Sequence, residues 1–325
     1  MFLNINIYDE NLNLSLILEN RYISCFWSEG YNQSQPFTIE VANTELTRNR
    51  IHEGYYAVRP DRKTVMVITT VEITKNSIVA TGEQATILLD DCGFVGTLKR
   101  GSIIDKAIPQ AYLQSYQFPN LIFKETNLGI KYPQEISNKS FFELSNTVAD
   151  ATDTGIKVTK QNKTIVVEFY KPSDKPKKTF SEDFGNLMTQ SITNSIKGFK
   201  NYAIVLGEGA GSERIRVDVD LSAGGVRREL IVDARDQQQK EETPEQYNQC
   251  LMSRGVEKLL ERIGVFQISV TPLGIIGNDF DLGDIVTIRL RDYNLNFDAR
   301  IVRFQQKAQN NNVETTIDIG QIKRR

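Results

Sequence analysis

The sequence has few of the residues that carry most enzyme and metal chemistry. Its 325 residues include one histidine, one tryptophan and three cysteines. Cys25, Cys92 and Cys250 are far apart and form no CxxC pair, so they predict neither a disulfide framework nor a zinc site. They are typical of reduced cysteines in a protein that folds in a cytosol. No GxSxG or HExxH motif accompanies His52, so it does not indicate a catalytic base.

The chain also lacks a charge bias and long apolar runs. Its 39 Lys and Arg residues and 41 Asp and Glu residues give a formal net charge of -2. This balance provides no general electrostatic reason to bind nucleic acid or an acidic membrane. The first residues have no basic segment before an apolar one, and no run approaches the ~18 apolar residues of a membrane span. The length suffices for two or three domains with cores of their own.

The most informative stretch runs from Asn201 to Asp236. An apolar run there is followed by three glycines: Gly207, Gly209 and Gly211. A dinucleotide-binding loop would need a helix directly after the glycines. Instead, apolar and charged residues alternate from Arg214 to Leu221, which predicts a half-buried strand. The glycines are therefore predicted to connect strands, and the stretch predicts three antiparallel strands joined by glycine turns.

Short strands separated by turns predict a first small β-barrel or sandwich over residues 1–100. The strongest strand is Thr64 to Ile73, which is dense in β-branched residues and follows a turn at Arg59 to Arg62. Other strands are predicted at residues 3–7, 22–27, 37–41 and 77–82.

The middle third predicts an α+β domain over residues 101–195. Helical spacing favours a helix from Ile103 to Tyr116, although Pro109 interrupts it. A second helix is predicted from Ser140 to Ala151, and Gly155, which follows it, is a plausible stop signal. Strands follow at residues 156–158 and 164–170. The basic loop Lys171 to Lys178 is predicted to be a solvated turn rather than a phosphate site.

A polar run at residues 233–242 is predicted to be exposed, and a helix is predicted to follow it. Thr243 can cap that helix, Pro244 suits its first turn and Gln246 completes a capping box. Gly264 is a plausible stop, and Gly255 within the helix suggests close packing. We expect this segment to contact a neighbouring subunit or another protein.

The last sixty residues predict strands at 266–270, 285–290, 297–304 and 313–319. With the glycine stretch they predict a second β-barrel domain over residues 196–325, carrying a helical insertion at about 237–264. The fold class is therefore mainly β with α+β: two small β-barrel domains plus an α+β domain. Asn278, Asp279, Asp281 and Asp284 could suggest calcium, but their spacing does not match the twelve-residue calcium loop and aspartates also form turns. A catalytic carboxylate pair has no short signature and stays open.

Four segments in order carry a resemblance to a known family. They are YAIVLGEGAGSER, RRELIVDARD, a helix ending in LLERIG, and DFDLGDIVTIR. Their order resembles phage and prophage tail proteins similar to the baseplate hub, or tail-tip hub, of siphophages. The resemblance is strongest over residues 195–290 and weaker at INIYDENLN, at the FW near residue 27, and at FSEDFGNL.

The resemblance implies a structural protein of a phage tail and no enzyme. It implies a tail-hub-like fold with two related barrels, and three copies in a ring that joins the tail tube to the tip and lets DNA pass. Implied partners are the chain itself as a homotrimer, a tail tube or distal tail protein, and tip or fibre proteins. DNA would be present only in passage. The protein would be made in the bacterial host cytoplasm and reside in the virion tail.

No cofactor, metal or catalytic residue carries over from the family. Larger relatives append a C-terminal peptidase or receptor-binding region, which this sequence, ending at Arg325, is expected to lack. The matching positions are expected to be structural or interfacial: Gly207, Gly209, Arg214, Arg228, Glu229, Asp233, Arg235, Asp281, Gly283 and Asp284.

Two other classes of function stay open at this point. A carbohydrate-binding or receptor-binding tail-tip module would need an exposed aromatic groove, for which Trp27 is the single tryptophan. An enzyme would need the catalytic motifs that the sequence lacks. The predicted strand at Arg214 to Leu221 places both signs of charge on one face, which suits subunit pairing better than DNA capture. We therefore expect a bore that is not basic.

Overall fold

The computed structural model describes residues 3–174, 176, 178–237, 243–260, 262, 265–272, 279–292, 295–310 and 312–320. The protein is mostly β, with 46% of residues in strands and 17% in helices, which confirms the predicted fold class. The chain forms two compact units. The large unit contains Met1–Ser191 and Ile268–Arg325, and the small unit contains Ile192–Gln267. The division into three domains with two barrels stays a prediction.

The elements follow in chain order. The strands of the first half are β1 (Asn4–Tyr8), β2 (Leu14–Glu19), β3 (Ser24–Gly30), β4 (Pro36–Ala42), β5 (Tyr56–Val58), β6 (Val65–Ile73), β7 (Ser77–Gln84), β8 (Gly93–Leu98), β9 (Leu121–Phe123), β10 (Ile136–Ser140), β11 (Gly155–Gln161) and β12 (Thr164–Tyr170). Those of the second half are β13 (Thr179–Ser181), β14 (Leu187–Ser195), β15 (Tyr202–Leu206), β16 (Arg216–Asp220), β17 (Glu229–Asp233), β18 (Val265–Pro272), β19 (Ile285–Leu290), β20 (Leu295–Gln309) and β21 (Asn312–Gly320). The helices are α1 (Glu45–Arg48), α2 (Ile104–Leu113), α3 (Phe141–Thr152) and α4 (Pro244–Leu260).

A curled sheet organises the large unit and has the shape of a half-barrel. Its strands follow the order β21-β20-β3-β4-β7-β6-β5-β1-β2, while β19 also pairs with β20 and β13 with β19. The C-terminal strands therefore share a sheet with the N-terminal ones: β20 runs antiparallel to β3, with Gln306 opposite Trp27. No sequence pattern indicates this pairing, because strand periodicity shows which face is buried but not which strand lies alongside.

Strand β6 separates two apolar cores of the large unit. Met66 and Ile68 pack with Trp27 and Phe37 in one core. Val65 and Val67 point to the opposite side, into the core that contains α2 and α3. Successive side chains of a strand face opposite sides of the sheet. The part of a strand that is buried on both sides must be apolar, which explains the apolar run Val65 to Ile68 at the start of β6.

The α+β part of the large unit packs α2 and α3 with the three-stranded sheet β11-β12-β9. Pro109 lies inside α2, where it has no N–H to donate to the carbonyl of Asp105. The N–H of Thr126 donates to that carbonyl instead, over 3.4 Å. The Asp105 carboxylate, which is buried, accepts from the N–H groups of Leu128 at 2.9 Å and Gly129 at 3.1 Å. The loop after α2 thus compensates for the proline.

Helix α3 confirms its predicted start but not its predicted stop. Ser140 caps the helix by accepting from the N–H of Glu143. The helix ends at Asp153, which adopts a left-handed conformation with φ 55°, so the prediction of Gly155 as the stop was wrong. Gly155 instead begins β11, where a Cβ would lie 2.3 Å from the ring of Tyr170. Residue 155 must therefore be glycine because the Tyr170 ring lies too close for a side chain, and not because the residue caps a helix.

The small unit is a three-stranded sheet covered by α4 on one face. The strand order is β16-β15-β17, and β15 runs antiparallel to β16 but parallel to β17. Three strands were predicted correctly, but the prediction that all are antiparallel was wrong for β17. After β16 the chain crosses over, and β17 pairs with the opposite edge of β15. Turn residues alone do not show to which edge the chain returns.

Helix α4 confirms the predicted capping box. The Thr243 N–H donates to Oε1 of Gln246 at 3.0 Å, and the Gln246 N–H donates to the Thr243 hydroxyl at 3.3 Å. Gly255 faces the sheet, where a Cβ would lie 2.7 Å from methyl groups of Val205 and Val219. The predicted close packing is therefore present. The predicted stop at Gly264 and residues 238–242 of the polar run lie outside the described residues.

Candidate functional site

The ten residues matched by the resemblance fall into two groups. Seven lie in the small unit, in or beside its three strands, and three lie in a turn of the large unit between residues 281 and 284.

The glycines after β15 connect strands, as predicted. At Gly207 a Cβ would lie 2.5 Å from the hydroxyl of Tyr247 on α4, so a side chain would push the helix away. Gly209 has φ +111°, and a Cβ there would lie 2.8 Å from the carbonyl oxygen of Glu213. The chain then makes a short 3-10 turn and enters β16. The segment lacks the longer helix that a phosphate loop requires.

Arg214 joins this connection to the end of β17. Its Nε donates to the carbonyl of Gly207 at 2.9 Å, and its guanidinium also bonds the carbonyl of Leu206. The same group binds Oδ1 of Asp233 at 2.7 Å. Arg235 binds the other carboxylate oxygen of Asp233 at 2.6 Å. Hydrogen bonds from Arg235 and then Arg214 hold the pKa of Asp233 far below its ordinary value.

The other two charged residues predicted in the small unit act differently. Arg228 serves through its backbone: its N–H donates to the side chain of Asn201 at 2.7 Å, and its carbonyl accepts from the Asn201 N–H at 3.1 Å. Glu229 begins β17 and pairs with Arg227 at 2.7 Å. Arg227 was not predicted, and it lies over the ring of Tyr202 at 3.3 Å from the centroid.

The face of the small sheet opposite α4 combines an apolar centre with a charged rim. Ile204 lies opposite Asp218 on one side and Ile231 on the other, and Ile231 is 70% exposed. Half-buried Leu206 lies next to them, between Arg216 and Asp233. We call this surface the open face and define it by these residues: Tyr202, Ile204, Leu206, Arg216, Asp218, Asp220, Glu229, Ile231 and Asp233.

Most charges on the open face are paired within the chain, whereas Asp220 accepts a hydrogen bond from the N–H of Ser222 at 2.8 Å. Arg216 binds Asp218 at 2.7 Å, and the Tyr202 hydroxyl donates to the same carboxylate at 2.8 Å. Hydrogen bonds from Arg216 lower the pKa of Asp218. The structure confirms that one face carries charges of both signs, as the alternation at Arg214 to Leu221 predicted. Sequence reasoning did not identify Ile231, although its position between Glu229 and Asp233 in the alternating β17 could have indicated it.

The turn at residues 281–284 is a junction inside the large unit. The Asp284 carboxylate accepts from the N–H of Ser173 and from the N–H of Asp281, both at 2.9 Å. Gly283 has φ +83°, and a Cβ there would lie 2.4 Å from the ring of Tyr31. Asp281 receives Nη2 of Arg62 at 2.9 Å. Three distant parts of the sequence therefore meet at this turn.

Arg62 connects that turn to a buried carboxylate. Glu29 is 1% exposed and receives Arg62 at 2.8 Å, Nε1 of Trp27 at 2.9 Å and the Thr64 hydroxyl at 3.0 Å. Arg62 also lies over the ring of Phe304. Burial lowers the pKa of Arg62, but Glu29 and Asp281 outweigh it and raise that pKa above the ordinary value. None of this network was predicted except the turn residues.

The alternative chemical sites receive no support from the described residues. Asp279 pairs with Lys178 at 3.7 Å, and Asp281 pairs with Arg62. Asp284 accepts hydrogen bonds from two backbone N–H groups, and Asn278 lies outside the described residues. No group of three or more His, Cys, Asp or Glu within the described part of the chain could hold a metal ion. The His52 ring packs edge-on against Tyr55 at 5.1 Å. Among the described helices, none has the length and apolarity needed to span a membrane.

Several solved structures have a similar fold, and three of them are tail proteins. The tail protein from Neisseria meningitidis MC58 is 11% identical with a TM-score of 0.64, over 99% of this chain and 97% of that chain. The 43 kDa tail protein of prophage MuSo2 from Shewanella oneidensis is 14% identical with a TM-score of 0.60, over 98% of both chains. Prophage tail protein gp18 from Listeria monocytogenes EGD-e is 14% identical with a TM-score of 0.57, over 99% of this chain and 95% of that one. At these identities the likeness shows the fold.

This fold therefore also occurs in prophage tail proteins. A family model described as Siphovirus ReqiPepy6 Gp37-like protein matches residues 118–321, well over half of the chain. The chain belongs to that family, and the resemblance to phage and prophage tail proteins is confirmed. No curated protein sequence matches the chain.

Proposed function

We propose that this chain is the structural, non-enzymatic hub of a phage or prophage tail. Three copies form a ring that joins the tail tube to the tail tip or baseplate. The observation that carries this proposal, within the family and fold, is the open face of the small sheet. An apolar centre inside a polar rim is the composition of a protein–protein interface. Because most rim charges are already paired within the chain, covering the open face removes few unpaired charges from water.

The proposed partners are two further copies of the chain, a tail tube or distal tail protein, and tip or fibre proteins. The protein is made in the cytoplasm of the bacterial host and resides in the virion tail. The residues at the open face, with Arg214 and Arg235 beside it, take an interfacial role. Gly207, Gly209, Arg228 and the turn at residues 281–284 take a structural one.

DNA passes through the ring without being held. Contacts from Lys and Arg to phosphates would add affinity and slow its exit. The net charge of -2 and the carboxylate partners of Arg214, Arg216 and Arg235 agree with a bore that is not basic.

The alternative, a sugar-binding or receptor-binding tip module, loses its main candidate residue. Trp27 is 0% exposed and lies in the core against Phe37. Its ring therefore cannot stack on a sugar at the surface. The hub is the better-supported proposal.

The proposal is tested by measuring the mass of the purified protein over a concentration series and imaging the assembled particles. We expect three copies in a ring. Ile231→Lys should weaken assembly by at least about tenfold, because it places a charge in the apolar centre of an interface. The fold should survive, since Ile231 is exposed. Leu46→Lys, at an exposed apolar position on α1 of the large unit, is the matched control and should leave assembly unchanged.

A chain that remains monomeric at all concentrations and also with its tail partners would contradict the hub. A closed dimer within the assembled tail would do so as well. Equal effects of Ile231→Lys and Leu46→Lys would show that the open face is not part of the interface.

A further inference from the structure

A polar depression of about 410 Å³ lies on the large unit where β1, the turn before β6 and the β11–β12 hairpin meet. The side chains that line it are those of Asn6, Tyr8, Val58, Pro60, Lys63, Lys160, Gln161 and Asn162. This lining contains no Asp or Glu. The depression therefore combines two ammonium groups and several amides with no carboxylate of its own.

The two lysines are held opposite each other by the backbone. Thr64 and Thr159 form an antiparallel bridge, and the N–H of Lys160 donates to the carbonyl of Lys63 at 2.9 Å. Lys63 and Lys160 are therefore the next opposed pair, and both side chains face the depression. Like charges directly opposite each other on neighbouring strands destabilise a fold. An anion bound between the two ammonium groups would remove this repulsion.

The Lys160 ammonium is fixed in place and partly withdrawn from water. It donates to the carbonyl of Asn162 and lies 4.2 Å from the centroid of the Tyr8 ring. The partial loss of water lowers the pKa of Lys160. An ammonium has three N–H groups, and the Asn162 carbonyl accepts from one of them. The group is thus positioned with further donors for a ligand.

The carboxylates closest in sequence are held elsewhere. Both oxygens of Asp61 accept from Arg59, at 3.1 Å and 2.6 Å. Asp9 accepts from Asn11 and Asn13 within its own turn. No described residue forms an ion pair with either lysine of the depression. The described part of the chain therefore supplies no anion to this site.

An apolar side chain beside the depression indicates which kind of anion fits. Across β1, Asn6 lies between Ile17 on β2 and Val58 on β5, so the three side chains share one face. Ile17 is 43% exposed, on a strand at the end of the sheet. Nucleic acid is held by many cations along its phosphates. Two lysines beside an exposed isoleucine instead match a peptide that carries carboxylates and an apolar residue.

We propose that this depression binds an acidic segment of a partner protein, with its carboxylates between Lys63 and Lys160 and an apolar residue against Ile17. The site lies on the large unit, whereas the open face belongs to the small one, and it does not depend on the proposed ring. Because the partner brings the anion, the free chain retains the repulsion between two opposed cations, and binding removes it.

Binding of a labelled peptide to the full chain tests the site. The probe acetyl-Leu-Thr-Glu-Thr-Glu-amide places one leucine and both glutamates on the same side of an extended chain. Its neutral control has Gln in place of each Glu. We expect saturable binding of the acidic probe only. Lys63→Gln combined with Lys160→Gln should weaken that binding by at least about tenfold, because charge-assisted hydrogen bonds are lost.

The matched control removes the same charge elsewhere. Lys99→Gln combined with Lys106→Gln changes two exposed lysines of the large unit that do not line the depression, and it should leave binding of the probe unchanged. Equal weakening by the two double variants would assign the binding to net charge and overturn the site.

A stability measurement separates a ligand site from a purely structural pair of lysines. Lys63→Gln relieves the repulsion between the opposed cations, so it should raise the urea midpoint of the free protein while it weakens binding of the probe. A lowered midpoint would assign Lys63 to the fold and overturn the site. Equal binding of the acidic and neutral probes, or of neither, would do the same. Tighter binding of a short DNA duplex than of the acidic probe would overturn the choice of partner. None of these outcomes bears on the proposed ring, which the mass measurement tests.

Discussion

Arginine–carboxylate pairs occur in two opposite settings in this molecule. In the large unit, Arg62 is 12% exposed and its partner Glu29 is almost completely buried. In the small unit, Asp233 is half exposed and binds Arg214 and Arg235 at the surface. Removing one member of a buried pair leaves an uncompensated charge, whereas exposed pairs contribute little to folding. Buried pairs of arginine and carboxylate therefore hold distant segments together in the large unit. Exposed pairs of the same kind contribute little to holding the small unit together, so its surface side chains can rearrange.

The largest effect is expected from Arg62→Ala. The change leaves Glu29 buried without its cation, and we expect a loss of about 3–5 kcal/mol in the free energy of unfolding. Urea unfolding followed by Trp27 fluorescence is suited to this measurement, because Trp27 donates to Glu29 and is the only tryptophan. Arg216→Ala, in the exposed pair with Asp218, is the matched control and should cause a much smaller loss.

A double variant separates the buried charge from lost packing. Adding Glu29→Gln to Arg62→Ala removes the uncompensated charge and should recover part of the stability. If Arg62→Ala and Arg216→Ala destabilised the protein equally, the contrast between the two units would be refuted.

A smaller effect is expected from Gly209→Val in the small unit. The backbone there has φ +111° and no room for a Cβ, so we expect a loss of about 1–3 kcal/mol. Hydrogen exchange of the amides in β15 and β16 locates the loss. Gly211→Asn is the control, because Gly211 has φ +55° in open space and asparagine tolerates that conformation. Equal exchange rates in the two variants would contradict the backbone explanation.

The smallest effect is expected from Asp233→Asn, and it should depend on pH. Arg235 and Arg214 lower the pKa of Asp233 below the ordinary 3.8, so folding favours the ionised carboxylate. Its contribution is present above the unfolded pKa and is lost as pH falls through the folded one. The stability difference between wild type and Asp233→Asn should therefore be larger at about pH 7 than at about pH 3, in urea unfolding at both. A difference that grows in acid would reverse the assigned direction.

The parts of the fold predicted from the sequence are those with local causes. Alternation predicted β16, a dense β-branched run predicted β6, and Thr243 with Gln246 predicted the start of α4. Each signal depends on residues within a few positions of one another, so a single segment contains all of it. The candidate site residues were predicted from the resemblance to tail proteins. That resemblance identified the turn at residues 281–284 but did not show what the turn contacts.

The failures concern choices made between distant segments. Asp153 ends α3 because its own backbone adopts the left-handed conformation, while Gly155 is required by Tyr170, fifteen residues further along. The parallel pairing of β17 with β15 depends on which side of the sheet the chain returns to. Strand β2 was missed because Leu14, Leu16 and Ile17 do not alternate cleanly with polar residues at this edge of the sheet.

The sequence by itself determined that this is a mainly β protein with glycine connections and a mixed-charge strand, because period, caps and turn chemistry act over short distances. Only the tertiary structure decided that Arg62 reaches both Glu29 and Asp281, 33 and 219 positions away. It also decided that Ile231 lies exposed beside Ile204, at the centre of a charged rim that is mostly ion-paired. Burial and pairing between distant segments depend on how the whole chain packs, and no local pattern encodes them.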